Sequence, residues 1–189
     1  GNISVDTTDP ARSNSGNMFA ALLANVLNGG QTLTEDNLRE ILPELQSIFG
    51  KLGYMETSSS DLFSQFLRMG IGAKPVIAGY ESQLIEYAAI YPDEYKNIED
   101  DIVMLYPTPT VWSTHVLLAL DENGQKLLDA LLDEDLQALA WTKHGFRTGN
   151  YSTVSTGGDI AAKGVAADIT QVTQVPSYDV MKIIIESLQ

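Results

Sequence analysis

Apolar residues recur at three- and four-residue spacing in several stretches of the chain and form short unbroken runs in others, and the two patterns alternate. Ile3 to Thr7 reads as a short strand, broken by Asp9-Pro10 and a polar turn, Arg12-Ser13-Asn14-Ser15-Gly16. Phe19, Leu22, Leu23, Val26 and Leu27 then predict a helix stopped by Asn28-Gly29-Gly30. A second helix starts at Thr34-Glu35-Asp36-Asn37 and carries Leu38, Ile41, Leu42, Leu45, Ile48 and Phe49, with Pro43 expected to bend or split it. Ser58 to Asp61 reads as the cap of a third helix holding Leu62, Phe63, Phe66 and Leu67.

Pro75 to Gly79 is an almost wholly apolar run of the kind found in strands covered on both faces, and Glu81 to Ile90 is predicted as the helix behind it. Ile102 to Tyr106 and Val111 to Leu120 read as further strands, separated by Pro107 and Pro109. Two helices follow, Asn123 to Leu132 and Glu134 to Lys143, hinged at Asp133 and stopped by Gly145. From Phe146 the chain turns to Gly, Ser, Thr and Ala until Val165, as in a loosely packed excursion or a linker, and Val175-Pro176-Ser177 introduces a last helix, Tyr178 to Leu188. Alternating strands and helices imply an α/β fold: a three-layer, mostly parallel or mixed sheet flanked by helices.

Composition narrows the function classes. The chain has 189 residues, 44% of them hydrophobic, enough to bury a core. Twenty-five acidic residues against eleven Lys and Arg give a net charge of −14, which would repel nucleic acid and anionic membrane surfaces. There is no cysteine, so disulfides and thiol chemistry are excluded. No apolar run approaches the roughly 20 residues needed to cross a bilayer, so no membrane insertion is expected. The chain opens at Gly1 and enters a strand-like segment within a few residues, as a mature protein or an excised domain would.

Two strand-to-helix corners stand out. The first, Thr7 to Gly16, gathers the hydroxyls of Ser13 and Ser15, the amide of Asn14 and the close-packing Gly16 at the positive end of a helix, where an anion could be cradled. The alternative is that Ser13 or Ser15 caps the helix and Asn14 forms a turn. The second corner is Ala78 to Gln83, where Gly79 permits close backbone approach, Tyr80 offers a hydroxyl, and Glu81 and Ser82 are neighbours. In an open parallel sheet both corners would lie at the carboxyl edge of the strands, where ligands bind.

Val5 to Asn17, followed downstream by Val76 to Gln83 and by Leu105-Tyr106-Pro107, resembles the second lobe of type II periplasmic binding proteins. Leu139 to Arg147 is similar to their helix before the return to the first lobe, so the resemblance spans Ile3 to Arg147. It implies a solute-binding lobe over residues 1–147 and a return segment with a C-terminal helix over 148–189. It also implies ligand contacts at Ser13, Asn14, Ser15, Gly16, Tyr80, Glu81 and Ser82. These suit oxyanion binders better than sugar binders, which place aromatic platforms at such turns. The strands and helices of the first lobe are not in this sequence, so the resemblance implies a domain-only chain.

The function expected on that basis is capture of a small polar or anionic solute by an extracellular, cell-surface or periplasmic domain of an ABC-type uptake system, handing the solute to a membrane permease. The alternative is a ligand-sensing or interaction module fused to another domain. No catalysis, cofactor or metal is expected: Gly-x-Ser-x-Gly, a Walker loop and a dinucleotide fingerprint are all missing, and His115 and His144 stand apart from carboxylate clusters. Trp112 and Trp141 read as core or hinge residues, Glu99-Asp100-Asp101 as a solvated face, and Arg147 as a surface ion-pair former or a partner for an anionic solute.

Overall fold

The structure, a computed structural model, describes residues 5–148 and 160–189. Its elements are helices: α1 (Asn14–Leu27), α2 (Glu35–Phe49), α3 (Ser59–Met69), a 3-10 turn (Gly70–Gly72), α4 (Glu81–Ile90), α5 (Pro92–Lys96), α6 (Glu122–Leu131), α7 (Glu134–His144) and α8 (Tyr178–Ser187). The helices expected from periodicity are present within a residue or a few. The five-residue α5 was not expected: Pro92 sits in its first turn, where a missing N–H costs nothing, and so starts a helix where Tyr91-Pro92-Asp93 was read as a stop. Pro43 lies inside α2 without splitting it.

The expected α/β fold is not there. Among the described residues there is no sheet and no periplasmic-binding-protein-like lobe, only three isolated parallel bridges, Asp6 with Ile77, Thr8 with Glu56, and Thr110 with Val172. A parallel pair is stabilised by a ladder of bonds along both strands, and each of these contacts is one residue long. Residues 5–9 are the nearest approach to a central strand: Asp6 N–H donates to Val76 O at 2.9 Å, Ala78 N–H to Asp6 O at 2.8 Å, and Asp9 N–H to Glu56 O at 2.8 Å. Residues 3 and 4 of the expected first strand lie outside the described residues.

Ile102 to Tyr106 and residues 111–120 carry no bridge at all. Pro107 and Pro109 remove two backbone donors between them. The double-sided burial expected of Pro75 to Gly79 also fails, since Val76 to Ala78 are only half-buried; in the Ile102 to Tyr106 run Val103 and Leu105 are exposed. A short apolar run records a tendency to extend. Becoming a strand requires a neighbour to pair with.

In space the chain groups into two compact units. Unit 1 comprises Gly1–Gly79, Pro107–Ser113 and Gln171–Gln189; unit 2 comprises Tyr80–Tyr106 and Thr114–Thr170. The core of unit 1 joins Ala20, Ala21 and Ala24 of α1 to Leu33, to Leu38, Leu45 and Phe49 of α2, and to Val180, Met181 and Ile184 of α8. On α1 the alanine face is the buried one, because small side chains let helix backbones approach closely, whereas Leu22, Leu23 and Leu27 are half-buried and Val26 is exposed. Asn25, fully buried on this face, is satisfied on both sides. Its amide donates to Thr173 Oγ1 at 3.2 Å and to Gln174 O at 2.8 Å, and its Oδ1 accepts from Leu33 N at 2.8 Å.

Unit 2 is built on α4 against α7. Gly145, the left-handed residue ending α7 at φ +68°, lies so close to α4 that a Cβ there would sit 2.7 Å from Ser82 Cα and 2.8 Å from Ile85 Cβ. Both the backbone angle and the space demand glycine. Asp133 caps α7 by accepting from Asp135 N and Leu136 N, which explains the break between α6 and α7.

Candidate functional site

The first corner lies in unit 1, and the structure draws its hydroxyls together. Thr8 and Ser15 are buried and their hydroxyl oxygens are 2.6 Å apart; Ser15 Oγ is in turn 2.8 Å from Ser13 Oγ. The three form a relay across the start of α1. Gly16 makes this closeness possible, since a Cβ at that position would fall 2.3 Å from Thr8 O and 2.7 Å from the Asp9 carbonyl carbon. The turn before the helix is closed locally, with Ala11 N–H donating to Asp9 Oδ1 at 2.8 Å and Ser13 N–H to Asp9 O at 2.9 Å.

Ser13 occupies the cap position of α1 in an extended conformation, yet its side chain makes no cap hydrogen bond; it is turned to Ser15 instead. Asn14, exposed, donates from Nδ2 to Ser113 Oγ at 3.0 Å. Thr7 Oγ1, just before the relay, is buried without a hydrogen-bond partner. Beside the corner an open recess of about 470 Å³ is lined by Asp9, Ala11, Arg12, Met55, Leu188 and Gln189. Arg12 is exposed on the turn and brings a cation to it.

Three hydroxyls linked by two bonds spend two of their three protons on one another, which leaves one donor for something outside the relay. Thr8 is fully buried and Ser13 is only partly so, so a relay donating outward from Thr8 through Ser15 presents its spare proton at Ser13. Ser15 and Gly16 lie in the first turn of α1, the part of any helix whose N–H groups lack intrahelical acceptors. Together these make a donor-rich corner with a cation nearby. Of the residues proposed here from sequence, Ser13, Ser15 and Gly16 meet; Thr8 is the member that sequence reading did not single out.

The second corner lies in unit 2 and is used differently. Tyr80 precedes α4, and its N–H donates to Gln83 Oε1 at 3.2 Å. Ser82 is held with its Cα against Gly145. Glu81 is the hub of an internal network. Arg147 Nε donates to Glu81 Oε1 at 2.5 Å and Nη2 to Oε2 at 3.0 Å, while Tyr106 donates its hydroxyl proton to Oε2 at 2.6 Å. Arg147 further donates from Nη1 to Ala167 O at 3.1 Å and from Nη2 to Ala166 O at 2.6 Å, and lies 4.8 Å from the ring centroid of buried Trp141.

This arrangement changes what the residues can do. The Arg147 side chain is 8% exposed, which removes the expected surface ion pair and leaves its fork committed to Glu81 and two carbonyls. Burial, then the hydrogen bond and charge of Glu81, push the Tyr106 phenol well above its ordinary value. Glu81 is thus a structural anchor. Nothing in the sequence pattern linked Arg147 to Glu81, 66 residues apart, because the contact depends on how α4 and α7 pack.

The two histidines sit apart: His144 Nδ1 is 2.7 Å from Glu86 Oε1, and the His115 ring packs edge-on against Phe146. Among the described residues no three His, Asp or Glu side chains converge to hold a metal ion, and no helix is long and apolar enough to cross a membrane. The chain matches no family model, no curated protein and no solved structure.

Proposed function

We propose that the protein captures a small polar or anionic solute, of the oxyanion kind, at the start of α1 in unit 1, without transforming it. The observation that carries this reading is the Thr8–Ser15–Ser13 hydroxyl relay, which keeps the Ser13 side chain away from capping duty at a helix N-terminus. The solute would accept from Ser13 and from the N–H groups of Ser15 and Gly16, with Arg12 adding attraction from the adjoining turn. The net negative charge of the chain does not oppose this, because surface charges are screened over roughly 8–10 Å while hydrogen-bond donors act at contact.

Binding without transformation is the reading that the relay's own chemistry supports. A hydroxyl nucleophile needs a base within hydrogen-bond reach, and the relay consists of hydroxyls alone. Uptake through a permease loses its support, because the resemblance that implied it depends on a sheet that the described residues do not form.

A thermal-shift panel of phosphate, sulfate, molybdate, carboxylic acids and amino acids tests the reading. At a concentration near 100 times Kd a ligand of the native state adds about 2.7 kcal/mol, a readily measured rise in Tm. At least one oxyanion should raise Tm, and Ser13→Ala should cut that rise while Glu81→Gln leaves it in place. A panel without a hit, or a hit lost on Glu81→Gln and kept on Ser13→Ala, contradicts the assignment.

A further inference from the structure

Unit 2 leaves an apolar face uncovered. Helix α6 carries Leu127, Leu128 and Leu131 at helical spacing, yet none of its ten residues is buried. In α7 only Trp141 is buried, and Leu136 and Leu139 are exposed. The extended segment 114–120 adjoins the same pair of helices: His115 packs against Phe146 just beyond α7, and Ala119 Cα would lie 3.1 Å from a Cβ on Gly124 of α6. Along it Val116, Leu118 and Leu120 are exposed, Leu120 at 93%. Large exposed side chains scattered singly are ordinary, but a run of them on adjoining elements marks an interaction surface.

Charge identifies what such a surface would accept. Unit 2 holds fifteen Asp and Glu against five Lys and Arg, a net charge of −10, whereas unit 1 holds ten against six, a net charge of −4. Around the exposed leucines stand Asp121, Glu122, Asp129, Asp133, Glu134 and Asp135, with Lys126 and Lys143 as the basic residues between 121 and 144. A second copy of the same face would bring like charges together, and an anionic membrane would be repelled.

We infer that the α6–α7 face of unit 2 docks a basic amphipathic segment of a protein partner, whose apolar stripe covers Leu127, Leu131, Leu136 and Leu139 and whose Lys and Arg residues meet the surrounding carboxylates. Helix-in-groove recognition uses apolar anchors of this spacing, and complementary charge speeds the encounter and sets the orientation. The inference is independent of solute capture, which concerns a different unit.

The test uses the full chain and a synthetic amphipathic helix of Leu and Lys, about five turns long, labelled for fluorescence anisotropy. The same peptide with Glu in place of Lys serves as the control. The Lys peptide should bind at least tenfold more tightly than the Glu peptide. The L127Q/L131Q/L139Q chain should lose at least tenfold in affinity, and its circular dichroism and Tm should match those of the parent, because the replaced side chains are already exposed. Equal binding of the two peptides, or unchanged binding by the triple variant, overturns the inference. So does concentration-dependent self-association of the parent that the triple substitution abolishes, which would assign the face to a second copy. Sedimentation of the parent with phosphatidylcholine–phosphatidylserine vesicles, lost in the triple variant, would assign the face to a membrane and equally overturn it.

Discussion

Unit 1 and unit 2 are held together by different physics. Unit 1 closes over a core of apolar side chains from α1, α2 and α8, and the buried amide of Asn25 is hydrogen-bonded through both its nitrogen and its oxygen. Unit 2 buries Leu84, Ile85, Ala88, Tyr95, Trp141 and Ala162, leaves Leu127, Leu131, Leu136 and Leu139 of α6 and α7 exposed, and concentrates its polar order in the Arg147–Glu81–Tyr106 network. Hydrophobic burial tolerates adjustment and is non-directional, whereas a buried ion pair fails abruptly when one member is removed. The contrast teaches that apolar helix positions can complete a core in one part of a chain and stay in solvent in another.

The comparison can be broken at either end. Ile184, fully buried in unit 1, should cost about 4 kcal/mol when cut to Ala, read from urea denaturation, because lost burial and a residual cavity both act. In unit 2 Arg147→Met should cost about 3 kcal/mol, since Glu81 loses its ion-pair partner where its side chain is only 17% exposed. Hydrogen exchange sharpens the contrast: Arg147→Met should accelerate exchange in α4 and α7, where Glu81 and Trp141 reside, and leave α1 and α8 protected. Equal loss of protection throughout would show that the two units do not draw on separate sources of stability.

The smallest effect expected is one of pH. Tyr106 holds its proton more tightly folded than unfolded, so the unfolded chain releases it first as pH rises through the ordinary phenol value of 10.0, and stability falls from there upward. Below that value both states keep the proton and the group adds no pH dependence. Tyr106→Phe should therefore flatten the alkaline decline of Tm above pH 10 by one proton's worth relative to the parent. An identical alkaline slope in the two proteins would remove Tyr106 from the network's account.

Helix positions were readable because a stripe of apolar residues at helical spacing, closed by Asn28-Gly29-Gly30 or by Gly145, depends on little beyond its own segment. Which face of a helix would be buried was less readable. On α1 the leucines looked like the inner stripe, and the alanines filled that role because three helices converge there. Strands were misread for a deeper reason: Ile102 to Tyr106 and Val111 to Leu120 have the residues of a strand, but pairing is a property of two segments, and no local pattern reports whether the second exists. At the candidate site, the Ser13–Gly16 turn was visible through its hydroxyls and its glycine. The contribution of Thr8 was hidden, since its contact with Ser15 depends on the fold around Gly16.

Solute capture by the hydroxyl relay is tested most directly by isothermal titration of the parent and of Ser13→Ala with the oxyanion that most raises Tm. Ser13 is only partly buried at the outer end of the relay, so its loss should leave Tm nearly unchanged while weakening binding about tenfold, the equivalent of one charge-assisted hydrogen bond. Saturable binding by the parent with that loss in Ser13→Ala is the predicted result. Indistinguishable isotherms for the two proteins would contradict it.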